Sequence, residues 1–391
     1  MAINLNSSAN KSATPSRGPV HIRLMGRITR RGFNKGMVAL GAGALASSAS
    51  RTAKAATEIK YTGWQGYDAA ANAGGFLDKN GLVLQTTYLE ANDQIPALAH
   101  SGGLGSMDLV TPSAYYVPLN VRGGVLQPLD KGRLPNLKGV MPFFQNVHDL
   151  NIDGKTYGVP FAWGSCPLMY NADVVKNVPT SWADLFKDEY KGKVAVTADL
   201  TGITIPMASL ATGTKTPWLL TQSELSATID LLIKFKREHA RTIAPSYGDL
   251  ANLLGSGEVI MAQGWEPVSA WMGDNAPTVK WVVPKEGCCT FIESYGIAVD
   301  APHEDADYEI VNHVISPEGQ AHAAEANSIA VTVADAVPLL SPAVKNIYPY
   351  DDIPGYFARA GGVTPLYPLD SDGTHVTYDE VLKGWERFMA A

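Results

Sequence analysis

Hydrophobic and polar positions alternate most tellingly over residues 281–299, WVVPKEGCCTFIESYGIAV. The apolar run Trp281-Val282-Val283 stops at Pro284 and turns through Lys285-Glu286-Gly287. It resumes as a second strand that ends in Ile297-Ala298-Val299. Under a two-residue period Cys289, Phe291 and Glu293 share one face of that strand, which sets a ring beside a carboxylate. Taken alone, this reads as a core Phe next to a solvated Glu. Further strands are expected at Glu58–Gly63, Leu82–Tyr88, Asp108–Val110, Lys193–Thr197 and Val259–Ala262. Helices are expected between them. Gln94–His100 is one, Ser181 with Asp184 opens a short one, and Thr221 with Glu224 boxes a long one striped by Leu225, Ile229, Leu232 and Ile233. Ser246 with Asp249 opens Leu250–Leu254, Asp305–Val314 is helical, and Pro317–Ala326 starts from Ser316 as N-cap. The final helix, Thr377–Met389, turns Val381, Leu382, Trp385 and Met389 inward. Strand and helix signals that alternate this way predict an α/β fold.

Charge divides the chain unevenly. Nine of the 31 Lys and Arg precede residue 56 and none of the 38 Asp and Glu does, so residues 56–391 carry 22 basic against 38 acidic groups, a net of −16. Such acidity argues against nucleic acid or an anionic membrane as partner. The basic start leads into a weakly apolar Ala/Gly run and the small-x-small site Ala53-Lys54-Ala55, the pattern of a signal peptide over residues 1–55. Within it Thr29-Arg30-Arg31-Gly32-Phe33-Asn34-Lys35 resembles the twin-arginine export motif, with Asn where Leu is commoner. The product is expected in the periplasm. Three cysteines, Cys166, Cys288 and Cys289, cannot staple a chain of this length and read as buried thiols, with a strained vicinal 288–289 bond as the alternative.

Ligands in α/β sheets sit beyond the carboxyl ends of strands, and the predicted exits are rich in rings, hydroxyls and acids. Trp64 and Tyr67 follow the first strand, Ser113, Tyr115 and Tyr116 the Asp108–Val110 strand, Asp199 the Lys193–Thr197 strand, and Trp265-Glu266 the Val259–Ala262 strand. Pro284-Lys-Glu-Gly287 followed by Phe291-x-Glu293 resembles the spermidine/putrescine-binding proteins of bacterial ABC importers, whose pattern there is typically Trp-x-Asp. Tyr157–Gly164, Tyr170-Asn171, Ser181–Leu185 and Tyr190–Lys193 fit the same order, so the resemblance runs over nearly all of residues 56–391.

That resemblance implies a two-lobed, type II periplasmic-binding fold with a hinge and a cleft. Lobe one would comprise residues 56–161 plus 292–337, and lobe two residues 166–288 plus 341–391. It implies ligand contacts at Trp64, Tyr67, Ser113, Tyr115, Asp199, Trp265, Phe291 and Glu293, no cofactor, a membrane permease as partner and a monomer. The physical logic is sound for an ammonium, which needs carboxylates and ring faces to replace lost water. Two positions depart from the family. Gly202 stands where a second acid is usual, and Ile329-Ala-Val-Thr332 replaces an aromatic loop, which favours a shorter or singly charged amine. The competing readings are the same fold with ferric iron, at Tyr115 and Tyr116, or an anion, and a secreted hydrolase. Against the last, the chain contains no G-x-S-x-G, no H-E-x-x-H and no phosphate loop.

Overall fold

β-Branched and aromatic residues in TEIKYTG give the first strand, β1 (Thr57–Gly63), which lies parallel to both β2 (Leu82–Tyr88) and β3 (Leu109–Val110). The computed structural model describes residues 56–89, 91–103, 105–198, 203–272 and 277–391. The expected signal segment, with Arg30 and Arg31, lies outside them, as do Asp199 and Gly202. The remaining strands are β4 (Asn151–Ile152), β5 (Lys155–Thr156), β6 (Val159–Cys166), β7 (Leu168–Asn171), β8 (Val194–Thr197), β9 (Ala240–Ala244), β10 (Met261–Gln263), β11 (Val279–Val282), β12 (Cys289–Ile297) and β13 (Ala330–Val331).

Two large sheets result. The first has the order β13-β6-β12-β3-β1-β2 and the second β11-β7-β10-β8-β9, while β4 and β5 form a small ribbon. Parallel pairs dominate the β1–β2–β3 and β8–β9–β10 portions, and antiparallel strands complete each sheet. The chain crosses between the sheets repeatedly. Only Pro167 separates β6, in the first sheet, from β7, in the second. The two strands of the 281–299 stretch also part company: β11 pairs with β7 and β12 with β6. The β6–β12 ladder sets Cys166 opposite Cys289 and Phe291 opposite Gly164, so residues 162–166 and 289–293 are paired strand. All three cysteines are buried.

Helices follow their capping signals. Thr221 and Glu224 form a reciprocal box on Gln222–Glu238, as do Ser181 and Asp184 on Trp182–Phe186, each satisfying two N-terminal amide donors. The last helix, Tyr378–Ala390, corrects one expectation. Val381 and Trp385 are buried as predicted, but Met389 is 40% exposed and Phe388 is buried instead. Tyr378 is itself buried, so the inward stripe runs 378, 381, 385, 388 and passes one residue short of Met389.

One large hydrophobic cluster underlies the first sheet, and two others lie about the second. Trp265, half-buried just past β10, packs against all three.

Candidate functional site

The centre of the site is Glu293, on β12. Its side chain is only 5% exposed, so it is no solvated surface acid. A register shift between Glu293 and Ser294 breaks the β6 ladder at this point. Ser294 turns away, donating both its N–H and its hydroxyl to the Pro112 carbonyl. The extra residue is Phe161 on β6, and Glu293, paired with Ala162 on that side, is also bridged to Ser113, beyond the end of β3.

Trp64 and Ser113 both donate to that carboxylate. The Trp64 indole N–H donates to Oε2 at 3.0 Å and the Ser113 hydroxyl to Oε1 at 2.8 Å. Trp64 is held by its own backbone N–H, which donates to Thr111 Oγ1, while the Tyr61 hydroxyl lies 3.2 Å from the same Thr111 oxygen. Gly63 makes this closure feasible, because a Cβ there would fall 1.9 Å from Thr111 Oγ1. Ser113 is locked by Asn92, whose Oδ1 accepts from Ser113 N–H at 2.9 Å and whose Nδ2 donates to Ser113 Oγ at 3.0 Å.

Rings lie next along β12. Phe291 meets Trp265 edge-on at 5.9 Å, and Trp265 in turn contacts Tyr247 at 5.6 Å and Trp271 at 5.2 Å. The Trp265 indole N–H is buried without a hydrogen-bond acceptor among the described residues. Gly164 leaves space for the Phe291 ring, since a Cβ there would sit 2.7 Å from its Cζ. Tyr67 is buried against Phe161 at 5.1 Å, and burial, followed by the Glu293 charge, holds its phenol well above the ordinary range and therefore neutral. Tyr115 is buried in the cluster about the second sheet, 5.2 Å from Tyr116.

The structure thus brings Trp64, Ser113 and Glu293 into direct contact and places Phe291 against Trp265, with Tyr67 close enough for the Glu293 charge to act on it. Ile329, at the position of the missing aromatic, is buried in the core of the first sheet.

Sequence reasoning missed Asn92. It follows β2, a strand exit of the same kind as those that yielded Trp64 and Ser113, and that rule applied to Leu82–Tyr88 would have found it. Glu266 and Glu286, the other acids of the region, are engaged elsewhere. Glu266 is fully buried and accepts from Ser165 N–H, Ser165 Oγ–H and the Tyr356 hydroxyl; burial pushes its carboxyl up to about 7. Glu286 accepts from Ser181 Oγ at 2.5 Å. Among the described residues no group of three His, Cys, Asp or Glu side chains is placed to hold a metal ion.

A buried carboxylate that accepts from an indole and a hydroxyl, on the same strand as a ring packed against Trp265, makes a candidate ligand site. Comparison with known proteins agrees. Residues 73–347 match the family described as bacterial extracellular solute-binding protein. The chain is 29% identical to the putrescine-binding periplasmic protein SpuD of Pseudomonas aeruginosa, over 82% of this chain and 91% of that one. It is 31% identical to the spermidine/putrescine-binding periplasmic protein of Escherichia coli, over 81% and 90%. Its fold superposes on a putative spermidine/putrescine ABC transporter from Listeria monocytogenes with a TM-score of 0.72 at 20% identity, covering 86% of this chain and 98% of that one. The chain belongs to the bacterial extracellular solute-binding proteins and has the type II periplasmic-binding fold.

Proposed function

We propose that the protein captures a compact cationic amine, a diamine such as putrescine above all, in the cleft between its lobes and hands it to the membrane permease of an ABC importer. The observation that carries this reading is the buried Glu293 carboxylate gripped by Trp64 and Ser113. A buried carboxylate held by an indole and a hydroxyl donor presents a negative charge that an ammonium can neutralise. Phe291 and Trp265 supply ring faces and edges nearby, and each ring–cation contact contributes about 0.5–2 kcal/mol. Together with Asp199, Tyr67 and Tyr115 these residues form the proposed ligand set. The names of the relatives, which include putrescine- and spermidine-binding proteins, support the same ligand class.

Asp199 and Glu293 match two ammonium groups, and Gly202 offers no carboxylate for a third. An unpaired buried charge costs several kcal/mol, against roughly 8 kcal/mol for micromolar binding, so spermidine is disfavoured. The protein acts as a binding protein rather than an enzyme, a periplasmic monomer exported through its twin-arginine signal at residues 1–55. Lobe one is residues 56–161 plus 292–337 and lobe two residues 166–288 plus 341–391.

Calorimetric titration of the mature protein with putrescine, agmatine, spermidine and a quaternary amine tests the reading. Putrescine or another compact amine is expected to bind at least tenfold more tightly than spermidine. Absence of binding by all four at millimolar concentration overturns the ligand class, and spermidine as the tightest ligand overturns the diamine preference.

A further inference from the structure

We propose that Asn92 is a positioning residue: it fixes the direction of the Ser113 hydroxyl and so holds Glu293 as a fully accepting carboxylate, which sets the preference of the cleft for an ammonium group. The proposal rests on Glu293 being the amine-binding acid.

Asn92 is buried in the turn between β2 and the helix Gln94–Gly102, and its backbone carbonyl accepts from Ile95 N–H. Both ends of its amide are used on one residue. Because Ser113 N–H can only donate, the atom 2.9 Å from it must be the amide oxygen, which leaves the amide nitrogen to face Ser113 Oγ at 3.0 Å. The orientation of the amide is therefore determined by the backbone and has no flipped alternative.

The consequence passes to the hydroxyl. Ser113 Oγ has a single proton, and Asn92 Nδ2–H occupies the accepting side of the oxygen, so the proton is directed at Glu293 Oε1, 2.8 Å away. With the Trp64 indole on Oε2, each oxygen of Glu293 receives a donor, an arrangement suited to the anion and not to a protonated acid. Removal of Asn92 lets the hydroxyl rotate and leaves Ser113 N–H, in a buried residue, without this acceptor. Asn92 thus acts on the ligand through Ser113 and Glu293.

The test uses Asn92→Ala, Ser113→Ala and the double variant in the mature protein, with folding checked by circular dichroism and thermal unfolding. The first readout needs no ligand. The Trp64 indole N–H resonance in a proton–nitrogen correlation spectrum reports its bond to Glu293 Oε2, and it is expected to shift in Asn92→Ala and in Ser113→Ala alike. A Trp64 indole signal unchanged in both folded variants overturns the proposal, whatever the ligand. The second readout is putrescine affinity. Each single variant is expected to lose about tenfold, the double variant no more than either single, and Asn92→Ala in a Glu293→Gln background less than twofold. Additive losses, or an equal loss in the Glu293→Gln background, would show that Asn92 only supports the fold. If putrescine fails to bind the unmodified protein, the ligand reading fails, while the indole signal still decides the role of Asn92.

Discussion

The indole nitrogen of Trp64 and the carboxylate of Glu293 are 229 residues apart along the chain and 3.0 Å apart in the fold. One follows the first strand of the first sheet and the other lies on its antiparallel β12, so their contact exists only once both segments have entered the same sheet. Trp64→Phe keeps a ring and removes the donor. It is expected to weaken amine binding by about tenfold, the worth of one hydrogen bond to a charged group. Glu293→Gln keeps the shape and removes the charge, and a loss of about 2–3 kcal/mol, about thirty- to a hundred-and-sixtyfold in affinity, is expected. Calorimetry on the folded variants checks both; unaltered affinity in Glu293→Gln would move the site elsewhere.

Gly164 gives a second, steric prediction. A Cβ there would lie 2.7 Å from the Phe291 ring and 3.1 Å from Glu266 Oε2, so Gly164→Ala must displace the ring. Amine affinity is expected to fall several-fold with a small change in unfolding temperature, because the displaced atom is the far end of a side chain. A variant that binds as tightly as the parent would show that the Phe291 ring does not contact the ligand.

Stability should fall as pH rises through the acid-to-neutral range. Burial raises the Glu266 carboxyl from 4.5 to about 7, and burial together with the Asp108 charge raises Asp307 from 3.8 to about 8. Both oxygens of Asp307 are buried without a hydrogen-bond partner among the described residues. For a carboxyl raised on folding, the unfolded chain ionises first, so its contribution is complete below the unfolded value and is lost on the way up to the folded one. For Glu266 the loss between pH 4.5 and 7 is about 3 kcal/mol. Asp307→Asn should therefore gain stability over the parent at pH 8 relative to pH 4, and Glu266→Gln should flatten the pH 4.5–7 slope. Denaturant unfolding across that range measures both, and a parent protein equally stable at pH 4.5 and 8 contradicts the assignment.

Export should depend on the paired arginines. Arg30→Lys with Arg31→Lys preserves charge and is expected to leave the precursor in the cytoplasm; undiminished periplasmic yield would exclude the twin-arginine route.

Local chemistry made much of this fold legible. Leu82–Tyr88 is a strand over the range its alternation indicates, and the Thr221–Glu224 and Ser181–Asp184 boxes both close as their spacing requires. The contacts of the candidate site were legible where a side chain follows a strand directly: Trp64 and Ser113 meet Glu293, and Trp265 meets Phe291. Period two also set Phe291 and Glu293 correctly on one strand. It could not show that β11 and β12, separated by one turn, enter different sheets, because their partners β7 and β6 lie more than a hundred residues earlier. Nor could it reveal the register shift after Glu293, where Phe161 of β6 is left unpaired, or the bridge from Glu293 to Ser113. Met389 was misplaced by one position because the buried Tyr378 sets the phase of the helix.

The placement of β12 between β6 and β3 has a consequence for the nascent chain. Until residue 297 has been synthesised, β3 and β6 have no shared neighbour, and the first sheet remains two separate pieces with open edges. Its closing pairings are long-range, so their loop-closure entropy falls late and folding of this half cannot finish while the ribosome is still translating the other. A chain cut short before residue 289 should present those unpaired edges to its neighbours and aggregate, whereas loss of the last turn after Phe388 should leave the first sheet intact.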